Sequence, residues 1–293
     1  MNSNSHLDTH PSRRRGAVRK LLTSCFAVFS VSFQVHAAIV APNQQINGIS
    51  QAELSARWWQ WVISFPDGTN PARDMTGEFG HLGSNQAASA HPGIFFLSGN
   101  FSITPDFPDR TFTAPAGEYL FFNLATVVSV IPFFGRTEAE IRADAALGLG
   151  SVNDLFVSLN GVALESPANL LNYRQLSPPG LFNLTIPPNN IYNAPPGTYP
   201  AVSDGYFVAL TPFSPGTYDL YFGGSGTGGG IDPAFDTAQT VHLMIVPEPG
   251  HILLLSVAAV LVIATGRGKL RSMPICSAGL PATRRWVRVS FRR

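Results

Sequence analysis

Residues 196–222 read PGTYPAVSDGYFVALTPFSPGTYDLYF, and this stretch decides the fold class. Pro196-Gly197-Thr198-Tyr199 and Pro215-Gly216-Thr217-Tyr218 each set a Pro-Gly turn ahead of a strand-forming run. Proline presets one turn torsion and glycine tolerates the conformations other residues avoid, so the pair punctuates strands. Residues 206–210 and 217–222 are therefore expected to be antiparallel neighbours joined by 211–216. Pro115-Ala116-Gly117-Glu118-Tyr119 is a looser copy of the same device.

Working outward, residues 240–246 alternate loosely and read as the last strand, while the glycine-rich 223–230 reads as a flexible loop. Residues 155–159 and 162–164 flank Asn160-Gly161, the pair that best supplies the two positive φ angles of a type I′ hairpin turn. Earlier strands are expected at 93–97, at 110–113, and from 118 on toward 131. Two helices interrupt this pattern. Residues 46–64 place Leu54, Trp58, Trp61 and Val62 on one face, with Ser50 and Glu53 at capping-box spacing and Trp59 off that face. Residues 137–149 repeat the box with Thr137 and Glu140 and are rich in alanine. The 24 Pro and 27 Gly are spread through the turns, so they separate strands and do not signal disorder. The expectation is a mainly β domain: an antiparallel β-sandwich, jelly-roll-like or immunoglobulin-like, with one or two helices.

The formal net charge of +1 hides a strong asymmetry. Residues 1–37 carry four Arg and one Lys against Asp8, and from Arg267 onward there are seven Arg, one Lys and no acid. Residues 38–246 hold six Arg, no Lys, ten Asp and six Glu. Basic ends around an acidic middle fit the rule that keeps Lys and Arg on the cytoplasmic side of a membrane. An acidic middle also argues against nucleic acid, which needs clustered cations. Both cysteines, Cys25 and Cys276, lie outside 38–246, so that domain has no disulfide, thiol nucleophile or thiolate metal site.

The N-terminus reads as a signal peptide over 1–37. Arg13, Arg14, Arg15, Arg19 and Lys20 precede an apolar run at 21–33, and Val35-His36-Ala37 supplies small residues at the positions signal peptidase reads, predicting a cut between Ala37 and Ala38. Leu22-Thr23-Ser24-Cys25 looks like a lipobox, but the apolar run follows Cys25 where lipid attachment requires it to precede. At the other end, Val246-Pro247-Glu248-Pro249-Gly250 leads into the apolar residues 251–265, and Arg267, Lys269 and Arg271 follow at once.

This order of triplet, apolar helix and basic cluster resembles a PEP-CTERM sorting signal over residues 246–271. The resemblance implies export by the Sec translocon and signal peptidase, and handling in the inner membrane of a polysaccharide-producing Gram-negative bacterium by the protease-transpeptidase exosortase. Pro247 and Pro249 keep the triplet extended, as a protease substrate must be. The apolar run of 15 residues is shorter than the roughly 20 that span a bilayer, and a basic extension, 272–293, follows it on the expected cytoplasmic side. The domains expected are thus 1–37, 38–246, 247–271 with a transmembrane helix at 251–265, and 272–293. The stretches 55–61 and 201–206 also resemble segments of uncharacterised bacterial exported proteins, a likeness that carries no activity.

Within 38–246 the chemistry-bearing residues do not assemble into a known catalytic pattern. His81, His91 and His242 have no metal-ligand spacing, no nucleophile elbow is present, and residues 223–230 lack the lysine of a phosphate loop. Asp67, Asp74 and Asp204 sit in turn sequences, where carboxylates cap amides. Asp106 and Asp109 are close enough in sequence to share a calcium ion, which takes oxygen ligands. Trp58, Trp59 and Trp61, with Tyr206, admit two readings. They are a core anchor for the first helix, or an exposed platform for stacking sugars. No catalytic residue, cofactor or metal is assigned. The expected function is a non-enzymatic surface or matrix protein. The alternatives are a module binding carbohydrate or exopolysaccharide, and an extracellular hydrolase whose paired carboxylates would meet only in the fold.

Overall fold

A computed structural model describes residues 37–84, 93–101, 108–230 and 232–247. Expectations for Val35 and the rest of the signal peptide, for both cysteines, His91 and Asp106, and for everything from Glu248 on lie outside the described residues. No helix among the described residues is long and apolar enough to cross a membrane.

The domain is mainly β, with ten strands in two sheets. The first contains β1 (Ile94–Leu97), β3 (Tyr119–Val130), β6 (Arg174–Leu176), β7 (Phe182–Ile186) and β8 (Gly197–Leu210), in the order β1-β3-β8-β6 with β7 also paired to β8. The second runs β2 (Asp109–Pro115), β10 (Phe235–Val246), β9 (Gly216–Gly226), β4 (Val152–Leu159), β5 (Val162–Ala163). Both sheets are mixed, which corrects the purely antiparallel expectation: β1 pairs β3, and β2 pairs β10, in parallel. The chain leaves the first sheet after β1, runs β2 in the second and returns as β3. The first four strands thus alternate between sheets, and the first and third meet as parallel neighbours.

The same alternation overturns the expected pairing of 206–210 with 217–222. Those runs are the end of β8 and the body of β9, in different sheets. The linker 211–215 contains two prolines and cannot form a tight hairpin. It arches between the sheets, burying Phe213 against Tyr218 with ring centroids 4.8 Å apart. The glycine run also changes role, because Gly223, Gly224 and Gly226 lie in β9. A Cβ on Gly223 would strike the Thr237 carbonyl, and one on Gly226 would strike the Phe235 ring. Glycine is there to admit close neighbours, not to give slack.

Burial follows the sheets. The second sheet alternates buried and exposed along β2 and β10, as a one-sided sheet must. In the first sheet β8 is buried continuously from Ala201 to Leu210, because both its faces are covered. Phe122, Leu124, Val208 and Leu210 share one apolar layer with Phe112, Leu155, Leu220, Phe222 and Leu243 of the second sheet. On the opposite face α1 (Gln51–Ile63) packs its tryptophans with Phe96, Phe121, Phe207 and Leu184. A second helix, α2 (Glu138–Leu149), seals β3 and β8 farther along through Ile141, Ala145 and Val202.

Local signals act as their chemistry requires. The Ser50 hydroxyl accepts from the Glu53 amide at 3.1 Å, and α1 begins there and not at 46, because Asn47 and Gly48 take positive φ in a tight turn that closes Ile46 on Ile49. Thr137 and Glu140 complete a reciprocal capping box on α2. Asn160 and Gly161 take positive φ between β4 and β5. The two Pro-Gly-Thr-Tyr copies share one further bond. The Tyr199 hydroxyl donates to the Pro195 carbonyl at 3.0 Å, and the Tyr218 hydroxyl to the Ser214 carbonyl at 3.1 Å. Each ring folds back over the glycine of its own turn, fixing the corner by which the chain enters β8 and β9. Tyr199→Phe and Tyr218→Phe are each expected to lower unfolding free energy by about 1 kcal/mol, the net worth of one such bond, as read from urea denaturation midpoints. Unchanged midpoints for both would remove the corners from the stabilising set.

Candidate binding cleft

The tryptophan cluster is core. Trp58, Trp59 and Trp61 are 0%, 2% and 2% exposed, and Tyr206, between the sheets, is 7% exposed. Each indole N–H is satisfied by a different part of the domain: Trp58 donates to the Leu97 carbonyl at 2.9 Å, Trp59 to the Thr126 hydroxyl at 3.1 Å, and Trp61 to the Leu82 carbonyl at 2.9 Å. A stacking platform must offer an open ring face, and these rings are spent on one another. Trp58 meets Trp59 edge-on at 5.3 Å and Phe207 at 5.7 Å. The platform reading of Trp58, Trp59, Trp61 and Tyr206 is therefore corrected. Trp59, expected off the apolar face, is buried because residues of β3 and β7 enclose that side of the helix as well.

Trp59 nevertheless marks a site. Its enclosed ring contributes to the wall of a cleft of about 480 Å³ between α1 and the loop leading into α2. Val127, Val128 and Val130 of β3, with Leu184 and Ile186 of β7, form apolar walls, and Phe133, Phe134 and Tyr192 stand around it. Phe133 and Tyr192 are about half exposed. The Thr126 hydroxyl accepts from Trp59 and donates its proton to the Asp204 carbonyl at 3.1 Å. Asp204 is in turn held by Arg174 at 2.6 Å. A smaller cavity of about 190 Å³ shares Thr126, Val127 and Asp232 with the cleft and is bordered by Asn100, Asn123 and Gln239.

Asp232 stands where the two meet. A reciprocal pair of backbone bonds with Gly229, 2.9 and 3.0 Å long, holds it at a tight turn. Gly148 of α2 leaves it room, since a Cβ there would collide with the carboxylate. Burial, then the charge of Asp144, pushes the Asp232 carboxyl up from its ordinary range. Asp144 itself accepts from the Ser129 hydroxyl at 2.6 Å. Asp232 and the Tyr192 phenol are within electrostatic range of each other. No local pattern in the sequence marks Asp232. It is one acid of sixteen until the fold brings it beside β3.

A buried charge of another kind lies beneath β2. Arg110 is fully buried, and its guanidinium donates to the carbonyls of Ser98 at 2.7 Å, Pro71 at 3.2 Å and Asp74 at 3.4 Å, and to the Gln239 side chain. Burial lowers its pKa to about 10, with Asp74 opposing. The Asp74 carboxylate accepts from the amides of Thr76, Gly77 and Phe79 and from the Thr76 hydroxyl. Burial alone would raise it, but these donors prevail and hold it below the usual range. Arg110 ties this loop to both sheets and is structural.

The remaining titratable candidates are on the surface. His81 lies with Nδ1 3.0 Å from the Glu78 carbonyl. His242 sits between two aspartates on the open face of the second sheet, with Nε2 2.6 Å from Asp109 and Nδ1 2.6 Å from Asp219. Both ring nitrogens can donate only in the imidazolium, so this setting, the Asp219 bond first, raises its pKa. Asp109 is thus engaged by His242, and among the described residues no group of His, Cys, Asp and Glu is placed to hold a metal ion.

The chain matches no protein-family model, no curated protein and no solved structure.

A raised histidine pKa stabilises the fold below the unfolded value of about 6.5, and the effect is lost as pH rises through the folded value. His242→Asn is therefore expected to lower Tm at about pH 5.5 and to leave it nearly unchanged at about pH 9. Equal losses at both pH values would mean that the ion pairing contributes nothing.

Proposed function

We propose that this chain is an exported surface or matrix protein without catalytic function, delivered by its C-terminal tail. The observation that carries the reading is the succession Pro247-Glu248-Pro249, apolar 251–265, and Arg267, Lys269 and Arg271 directly after the last strand. The carbonyl of Val246 still accepts from the Ala116 amide at 2.8 Å, and Pro247 is exposed. The last strand therefore runs up to the triplet, a position that supports reading it as the point where a membrane protease such as exosortase acts. At the other end, the Ala38 amide bonds the Thr211 hydroxyl and its carbonyl accepts from the Thr211 amide, each at 2.9 Å. A cut by signal peptidase between Ala37 and Ala38 would keep that pairing.

On this reading the Sec translocon, signal peptidase and exosortase are the partners, the inner membrane is the first anchorage, and an exopolysaccharide matrix is the setting. Two sheets around one shared apolar layer, with the chain crossing between them several times, support a β-sandwich of the jelly-roll or immunoglobulin-like kind. The carbohydrate-binding alternative loses the stacking faces on which it rested, since Trp58, Trp61 and Tyr206 are enclosed.

Fractionation of the native host tests the tail. Glu248→Ala is expected to leave export intact and to accumulate a membrane-bound precursor, while the unaltered chain is released as a species beginning at Ala38 and ending near Pro247 by intact mass. Unchanged processing of the variant would overturn the sorting assignment.

A further inference from the structure

We propose that the cleft beside Trp59 is a binding site for a small organic cation, its apolar body against β3 and β7 and its ammonium group against the Asp232 carboxylate. The site has the two parts such a ligand needs. One is an open apolar cleft of about 480 Å³ flanked by aromatic side chains, within the size range of pockets that take small molecules. Aromatic rings such as Phe133 and Tyr192 attract cations through their electron-rich faces. The other is a half-buried carboxylate at its edge.

The charge on Asp232 is the deciding feature. Among the described residues its carboxylate has no hydrogen-bond or ion-pair partner, and the neighbouring charge it feels is that of Asp144, of the same sign. The domain has no lysine with which to answer it. Its arginines pair with other groups: Arg57 with Glu53, Arg142 with Glu138, Arg174 with Asp204, Arg110 with carbonyls beneath β2, and Arg73 with Asp67, its charge reaching Tyr192 at the cleft. Arg136 lies beside Glu140 at the start of α2. A partly desolvated anion without a counter-charge is held at some cost, and a cation entering from solvent offsets that cost. A neutral apolar ligand would fill the volume and leave the charge unmatched, and an anionic one would be repelled. The secondary cavity on the far side of Asp232, bordered by Asn100, Asn123 and Gln239, leaves room for a polar extension of the ligand.

The test compares three probes of similar shape, phenyltrimethylammonium, tert-butylbenzene and benzenesulfonate, by isothermal titration and saturation-transfer NMR on the full-length protein in lipid nanodiscs, with empty nanodiscs as the blank. The expected order is cation, then neutral isostere, then sulfonate. Asp232→Asn keeps the shape and removes the charge. It is expected to weaken phenyltrimethylammonium about tenfold and leave tert-butylbenzene unchanged. Ala194 also lines the cleft, and Ala194→Trp, which fills it, is expected to abolish both. The proposal is overturned if the cation binds no more tightly than its neutral isostere, if none of the probes binds above the blank at millimolar concentration, or if Asp232→Asn leaves the cation's affinity intact. Should Asp232→Asn fail to fold, the order of the three probes on the unaltered protein decides alone.

Discussion

Three indole N–H groups, each of which would be expensive to bury unpaired, determine where α1 sits. Trp58 reaches the end of β1, Trp59 reaches the middle of β3, and Trp61 reaches the turn at Leu82. A helix carrying one such ring can slide or rotate about its contact. Three bonds to three separate elements leave one position, and the rings then exclude water from the outer face of the first sheet. That the first sheet is covered on this side, and that β8 is buried without a break from Ala201 to Leu210, depends on this attachment.

The cleft is a by-product of the same geometry. β3 is twelve residues long, and α1 does not cover its whole length. Val127 and Val128 are left half-covered between α1 and α2. β7 and the loops after β3 and β7 build walls around that gap without closing it. Asp232 arrives there from the segment between β9 and β10, whose tight turn depends on glycines. Gly228 and Gly230 have φ of 60°, and Gly148 yields space on α2.

The legible parts of the fold were those that local chemistry decides. Ser50 with Glu53, Thr137 with Glu140, and Asn160-Gly161 could be read because a cap or a two-residue turn closes within a few residues, whatever the rest of the chain does. Most strands were legible from apolar runs for the same reason, but β6, β7 and the first half of β8, with few apolar residues in a row, were not. Pairing was not. Residues 206–210 and 217–222 satisfy every requirement of a hairpin, and only the two prolines and the buried Phe213 between them reveal that the chain changes sheet. The glycines at 223–226 look like slack in sequence, since the neighbours that would collide with a side chain come from elsewhere in the chain. The fate of Trp59 turned on the same kind of information. Helical periodicity put it off the buried face, but both sides of α1 are enclosed. Arg110 and Asp232 leave no local trace at all, because a buried cation and an unmatched anion are defined by what surrounds them.

β10 has a mechanical consequence. It lies between β9 and β2, bonded to β9 over 235–245 and to β2 over 240–246. A pull applied along this strand from its C-terminal end loads both hydrogen-bond ladders in shear, many bonds at once, and does not peel them one by one from an edge. Force-driven unfolding is governed by the height of the barrier and not by equilibrium stability, and a central strand held on both sides raises that barrier. Whatever grips this protein by its C-terminus, tension reaches the domain at one of its most resistant points.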